Sequence, residues 1–509
     1  MDENKEKLSR LQADLTKAKS YFFDKVKDIQ APINIYTHLD ADGLSSGAIL
    51  GKALYREKIP FQITVLRQLE KQEIKKIAEK VQKYNNFIMF SDFGSGQFLE
   101  LQKELIDNKN FNSFLILDHH IPQNVSSKEE IENIKKIHEN TKYWHINPYF
   151  YGINGSLEIS GAGLCYYFAK CLNKSNIDLS SIAVIGAIGD IQNQGENKSF
   201  LGLNKFILGD AIKLGQIEVV NDLNFSSLKP LNEAIAYSSD FNLPGLTKDV
   251  NRTLIFLKTQ GILMENSVGE VKTLSELNQD EKQKISSAII EYASIKLDLE
   301  PNKIIRKLIV NRYLLKNEPL GSELHDAKEF SNLLNACGRT HNSSSGIAIA
   351  MGDRKEIYQQ SKNILENYRK SLLESLSWIQ ENNKILQKDS IQYFFGEDKI
   401  PESIIGTVTS MLIFEDFKGV DKSKPIFGLA KRSDEEVYKV SGRAHETIVN
   451  QGINLSSVIR DACERSNLEV LGGGHPPAAG TKIPIEKSEI FLENCNTAVR
   501  NQFKKAKSG

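Results

Sequence analysis

Cysteine is scarce in this chain and carries no pattern. The five in 509 residues (Cys165, Cys171, Cys337, Cys463 and Cys495) are odd in number and scattered, and no two form a CxxC pair. That excludes a disulfide framework and argues against structural zinc, leaving thiols in a reducing cytoplasm as the expectation. No apolar run approaches the ~18 residues of a membrane span. The opening MDENKEKLSRLQADLTKAKS is charged throughout, unlike a secretory leader. An excess of either charge is missing too: 65 Lys+Arg balance 65 Asp+Glu. Nucleic-acid binders are often basic overall. A nucleic-acid site here must therefore be a local groove, with affinity resting on a few phosphate contacts plus metal. There is no internal repeat and no low-complexity tract. What remains is an ordinary globular composition, 40% hydrophobic and 26% charged.

The length exceeds what one hydrophobic core serves, so two or three domains are expected. Residues 1–30 read as a helix, with Leu8, Leu11, Leu15 and Phe22 at helical spacing. Short apolar runs then alternate with helical patterns: INIYT (33–37), FQITVL (61–66), FIMFS (87–91), FLILD (114–118) and IAVIGAIGD (182–190). The helical stretches are 44–56, 70–84, 97–107, 128–139 and 161–172. This alternation predicts an α/β domain over 31–225, with a mainly parallel sheet covered on both faces. Residues 226–320 read as a linker and helical insert. Residues 321–500 read as a smaller second α/β domain, with strands at 346–351, 391–395, 425–430 and 437–442. Between them lie helical segments at 354–385 and 402–414. The lysine-bearing tail is expected to fray.

Acidic and imidazole residues fall in four clusters at the ends of predicted strands, the edge at which open parallel sheets bind ligands. THLDADG brings His38, Asp40 and Asp42, with Gly43 permitting a tight turn. SDFG brings Asp92. LDHH brings Asp118, His119 and His120. GAIGDIQ brings Asp190. Any one of these carboxylates, taken alone, is best read as a helix cap or turn former. Four clusters at four strand ends of one sheet are better read as a metal site. Mixed carboxylate and imidazole ligands suit Mn²⁺ or Mg²⁺. His138, His145, His325, His341 and His445 lack such context and are expected to be exposed or structurally hydrogen-bonded.

The order HxDxDG, D, DHH, GxxGD resembles the four motifs of DHH phosphoesterases. LGGGHPPAAG (471–480) resembles the glycine-rich signature of their DHHA1 substrate-binding domain. NPYFYGINGSLEISGAG (147–163), EFSNLLNACGR (329–339) and VSGRAH (440–445) are similar to the archaeal RecJ-like branch, which includes relatives of the eukaryotic replicative-helicase cofactor. The resemblance implies two divalent ions, Mn²⁺ or Mg²⁺, with His38 and Asp40 on one, Asp42, His119 and Asp190 on the other, and Asp92 bridging. It further implies that His120 contacts the scissile phosphate and that Asp118 orients an imidazole. Arg339, Arg443, Gly472, Gly473, Gly474 and His475 would bind substrate.

The activity so implied is hydrolysis of single-stranded DNA or RNA by an exonuclease of replication or repair. The alternatives are a short-oligonucleotide phosphoesterase and a replisome scaffold binding a GINS-type complex. One segment departs from the family pattern: RTHNSSSG (339–346) is polar where a glycine-rich, basic link is expected.

Overall fold

The computed structural model describes residues 2–29, 31–84, 86–106, 113–123, 143–238, 241, 243–261, 263–414, 417–432, 435–468 and 472–508. The chain divides into two compact units. The first comprises Met1–Ala236 with Leu243–Leu365, the second Tyr237–Asn242 with Glu366–Gly509. Residues 321–365, which the sequence reading joins to the second domain, thus pack with the first unit.

The first unit is built on strands β1 (Ile33–His38), β2 (Phe61–Leu66), β3 (Ile88–Ser91), β4 (Phe114–Leu117) and β5 (Tyr143–Ile146). All pair in parallel, in the order β2-β1-β3-β4-β5. β3 and β4 are buried throughout, which explains runs without apolar-polar alternation. The N-terminal helix Asp2–Val26 buries Leu11, Leu15, Ala18 and Phe22 at spacings of three and four. Phe22 meets Phe87 edge-on at 5.4 Å and Phe168 at 6.1 Å.

Two expected strands are helices. IAVIGAIGD lies in the helix Ser180–Gly189, and GIAIAM in the helix Ser343–Met351. The first is buried along nearly its whole length, so no exposed face reveals its period. Its glycines admit neighbouring helices: a Cβ on Gly186 would lie 2.5 Å from Ala162 Cβ, and one on Gly189 2.5 Å from Ala41 Cβ. The fourth acidic cluster therefore follows a helix and not a strand. The expected helix at 128–139, with His138, lies outside the described residues.

Strands β6 (Ile217–Leu223) and β7 (Ile309–Leu315) pair antiparallel. Together they close off the intervening segment, which holds the helices Val250–Thr259, Gln279–Leu297 and Pro301–Leu308. The second unit contains a mixed sheet ordered β12-β13-β11-β10-β9-β8. Its strands are β8 (Leu386–Gln387), β9 (Gln392–Phe395), β10 (Ile426–Lys431), β11 (Val437–Arg443), β12 (Gly473–His475) and β13 (Ala478–Pro484). Among the described residues no helix is long and apolar enough to cross a membrane.

Candidate metal centre

In a 2-1-3-4-5 parallel sheet the strand order reverses between β1 and β3, and the helices leaving these strands diverge to open a crevice at their carboxyl ends. His38 ends β1, Asp40 and Asp42 follow it, and Asp92 follows β3. Asp92 holds a left-handed backbone (φ 61°), and so does Ile191 beside Asp190 (φ 56°). For a β-branched residue that conformation is strained, a feature that clusters at functional sites.

The side chains converge. His38, Asp40 and Asp92 place one ligand atom each within 4.8 Å of one another, and so do Asp42, His119 and Asp190, and Asp92, His119 and His120. His38 Nδ1 lies 2.8 Å from Asp40 Oδ2 and 3.7 Å from Asp92 Oδ2. His119 Nε2 lies 3.1 Å from Asp92 Oδ1 and 3.6 Å from Asp42 Oδ2. Yet His38 Nδ1, Asp92 Oδ1 and His119 Nε2 are buried without a hydrogen bond of acceptable geometry. Leaving such atoms unsatisfied is costly unless something else occupies the space between them.

Local structure fixes each of these side chains. Asp40 is the N-cap of the helix Ala41–Arg56, its Oδ1 accepting from Gly43 N–H, while Oδ2 faces His38. One oxygen of this carboxylate thus caps the helix while the other faces the cluster. Asp42 sits against the N-terminus of the helix Gly161–Leu172, accepting from Gly161 N–H at 2.7 Å and Ala162 N–H at 3.0 Å. His119 Nδ1 lies 2.7 Å from Gly155 O. A carbonyl can only accept, so Nδ1 carries a proton and Nε2 is the nitrogen turned toward Asp42 and Asp92.

The electrostatics mark a deficit of positive charge. Burial raises the Asp92 carboxyl well above its usual range, with Asp42 and Asp40 adding to it. Burial raises Asp42 as well, and pushes Asp190 up to about 6. Burial disfavours the His119 cation, but Asp190, Asp92 and Asp42 outweigh it and raise its pKa well above normal. Asp40 is also buried, yet the nearby charge of His38, the Gly43 N–H bond and the Arg339 guanidinium hold it low. Three carboxyls that resist ionisation around partnerless lone pairs fit divalent cations, and the oxygen and nitrogen donors suit a hard or borderline ion.

Asp118 is fully buried. Its Oδ1 accepts from His120, with Nδ1 at 2.8 Å, and its Oδ2 from Ser95 N–H at 2.8 Å. Burial opposes its ionisation, but His120 and His119 prevail and keep its pKa low. His120 is 38% exposed, the most open of the cluster's imidazoles.

Several residues here escaped the sequence reading. Gln192, fully buried, donates to Asp190 Oδ2 and Gly155 O, both at 2.8 Å, and accepts from Asn204 at 2.7 Å. It thereby ties together the surroundings of His119 and Asp190; its one sequence signal is its place two residues after Asp190. Asn147 Nδ2 donates to Ser95 Oγ and to His120 O. His145, also buried, lies 2.7 Å from Ser95 Oγ, the structural hydrogen bonding expected of it. Asn335 accepts from Ala41 N–H, seating the helix Ala327–Arg339 against the HLDAD segment.

Of the expected substrate residues, Arg339 ends that helix in the first unit, and its charge reaches Asp40. Arg443, Gly472, Gly473, Gly474 and His475 lie in the second unit. β12 carries Gly473, Gly474 and His475, and both His475 and Arg443 pair with Ala478 of β13, on opposite sides.

Comparison with known proteins agrees with this architecture. Residues 226–309 match the DHH-CID domain and residues 390–501 the DHHA1 domain. An uncharacterized protein of Methanocaldococcus jannaschii is 31% identical over 484 residues, 95% of this chain and 96% of the relative. The fold is shared with CDC45 from Entamoeba histolytica (TM-score 0.64, 11% identity, 96% of this chain and 99% of that one). It is shared too with an exonuclease RecJ bound to manganese (TM-score 0.52, 14% identity, 96% and 94%). RecJ of Thermus thermophilus in complex with Mn²⁺ gives a TM-score of 0.54 at 14% identity over 96% of this chain, which spans 55% of that RecJ. The chain belongs to the DHH/DHHA1 family.

Proposed function

We propose that this chain is a metal-dependent phosphodiesterase that removes nucleotides from single-stranded DNA or RNA. The observation that carries the reading is the set of buried, partnerless ligand atoms on His38, Asp92 and His119 at the switch point of the parallel sheet. His38 and Asp40 would hold one divalent ion, Asp42, His119 and Asp190 a second, with Asp92 shared. Two such ions, when bound, supply Lewis-acid charge at phosphorus and a more acidic nucleophilic water. The other groups position. Asp118 fixes the His120 ring through Nδ1, so that this more open imidazole meets the scissile phosphate. His119 keeps one tautomer through Gly155 O. Arg339, Arg443, the Gly472–Gly474 backbone and His475 bind the strand's phosphates.

The test is a labelled single strand, DNA or RNA, incubated with Mn²⁺. Mononucleotides should accumulate with the native protein and not with Asp92→Asn. Failure of the native protein to release them defeats the reading, and cleavage confined to the shortest oligonucleotides redirects it to a small-nucleotide phosphoesterase. Near-complete mutual coverage with CDC45 favours a second role, as a replication scaffold binding a GINS-type complex. Co-purification tests that role.

A further inference from the structure

In the second unit, three residues of the helix Ile405–Phe414 lie four apart, Gly406, Ser410 and Phe414, and so share one face. That face runs beside the end of β11. At Gly406 there is room for the Arg443 guanidinium, since a Cβ there would lie 3.1 Å from Nη2. Ser410 Oγ donates to Gly406 O at 2.9 Å and accepts from Arg443 Nε at 2.8 Å, while Arg443 Nη1 donates to Gly442 O at 2.8 Å. The guanidinium is thus held beside the first turn of a ten-residue helix.

One turn further along the same face, Phe414 is 46% exposed, and its ring stands 6.2 Å from that of His445 at 43°. His445 is kept in place as the N-cap of the helix Glu446–Val449, Nδ1 lying 3.0 Å from Thr447 Oγ1. Ser410 to Phe414 is about 6 Å along a helix, and Arg443 to His445 is about 6–7 Å along extended backbone. Arg443 and the Phe414–His445 ring pair are therefore offset by about 6–7 Å of backbone rise along both elements.

We infer that Phe414 and His445 form a stacking shelf for a nucleobase whose phosphate is held at Arg443. This rests on the nucleic-acid reading above and adds a base contact to it. Stacking on an aromatic ring tolerates any base, so the shelf would favour strands that carry bases without reading sequence.

The experiment measures binding in chelator, where no hydrolysis occurs. Fluorescence anisotropy compares an oligothymidylate with an abasic strand of equal length and charge. The native protein should prefer the base-bearing strand, and Phe414→Ala should lose about 5- to 100-fold of that preference with abasic binding unchanged. Phe414→Trp should keep the preference, with indole fluorescence quenched by the base-bearing strand alone. The Mn²⁺-induced rise in melting temperature should be the same in all three proteins, reporting intact folding. A Phe414→Ala protein with the native ratio of affinities overturns the shelf, and so does a native protein indifferent to bases. Absence of Mn²⁺-dependent cleavage with the preference intact would instead overturn the nuclease reading and leave the shelf standing.

Discussion

The metal centre should make the protein less stable when it is empty, and Asp190→Asn isolates this. Burial raises the Asp190 carboxyl from 3.8 to about 6, with Asp42 and Asp40 contributing. A raised carboxyl pKa stabilises the fold below the unfolded value and loses that contribution as pH climbs through the folded value. Roughly two pKa units at 1.36 kcal/mol each put the penalty of keeping Asp190 ionised at up to about 3 kcal/mol above pH 7. The amide of Asp190→Asn carries no charge and can still accept from Gln192. In chelator at pH 8 the variant should therefore melt above the native protein, by a few degrees on the scale of ~2–4 °C per kcal/mol for mid-sized domains. The gain should be roughly halved at pH 5 and vanish near pH 3, below the unfolded carboxyl pKa. In saturating Mn²⁺ the order should reverse, because a ligand that binds only the native state stabilises in proportion to its affinity. The assay is a melting series across pH, with and without Mn²⁺. A variant that melts below the native protein in chelator at pH 8, or gains as much from Mn²⁺, refutes the reasoning.

Gln192→Met should keep the fold but weaken Mn²⁺ binding about 10- to 100-fold, measured by calorimetric titration, because the hydrogen bonds to Asp190 and Gly155 are lost. Gly161→Ala would place a Cβ 2.7 Å from Asp92 Oδ1 and 3.1 Å from Asp42 Oδ2. It should destabilise by about 1–3 kcal/mol in denaturant melts and abolish the Mn²⁺-induced stabilisation. The metal-free native protein should lose stability steadily from about pH 5 to pH 8, since Asp42, Asp92, Asp190 and His119 all have raised pKa values. The lowered carboxyls Asp40 and Asp118 reach their full contribution above about pH 4–5 and do not offset this loss. Melting in chelator across that range checks the slope.

What was legible follows from where information sits along the chain. His38 ends and Asp40, Asp42, Asp92, Asp118, His119 and His120 follow buried strands, so an apolar run ending abruptly in acidic and imidazole residues marks them. Asp190 lies beside Asp42 and His119 although its element is a helix and not the expected strand: a short run buried on all sides looks alike as strand or helix, and only the neighbouring helices decide. GIAIAM misleads differently, its large and small residues alternating with a period of two inside a helix capped by Gly352 (φ 114°). Strand β5 (YWHI) is broken by His145, so it offers no continuous apolar run like those of β3 and β4. Gln192 and Asn147 act through backbone carbonyls 37 and 27 residues away, and no local pattern encodes such a partner.

The most direct test of the central claim is a crystal of the protein grown or soaked in Mn²⁺, with anomalous scattering used to place the ions. The account predicts two manganese peaks, one among His38, Asp40 and Asp92 and one among Asp42, His119 and Asp190, with Asp92 reaching both. A well-ordered pocket without manganese, or with manganese bound only elsewhere, contradicts it.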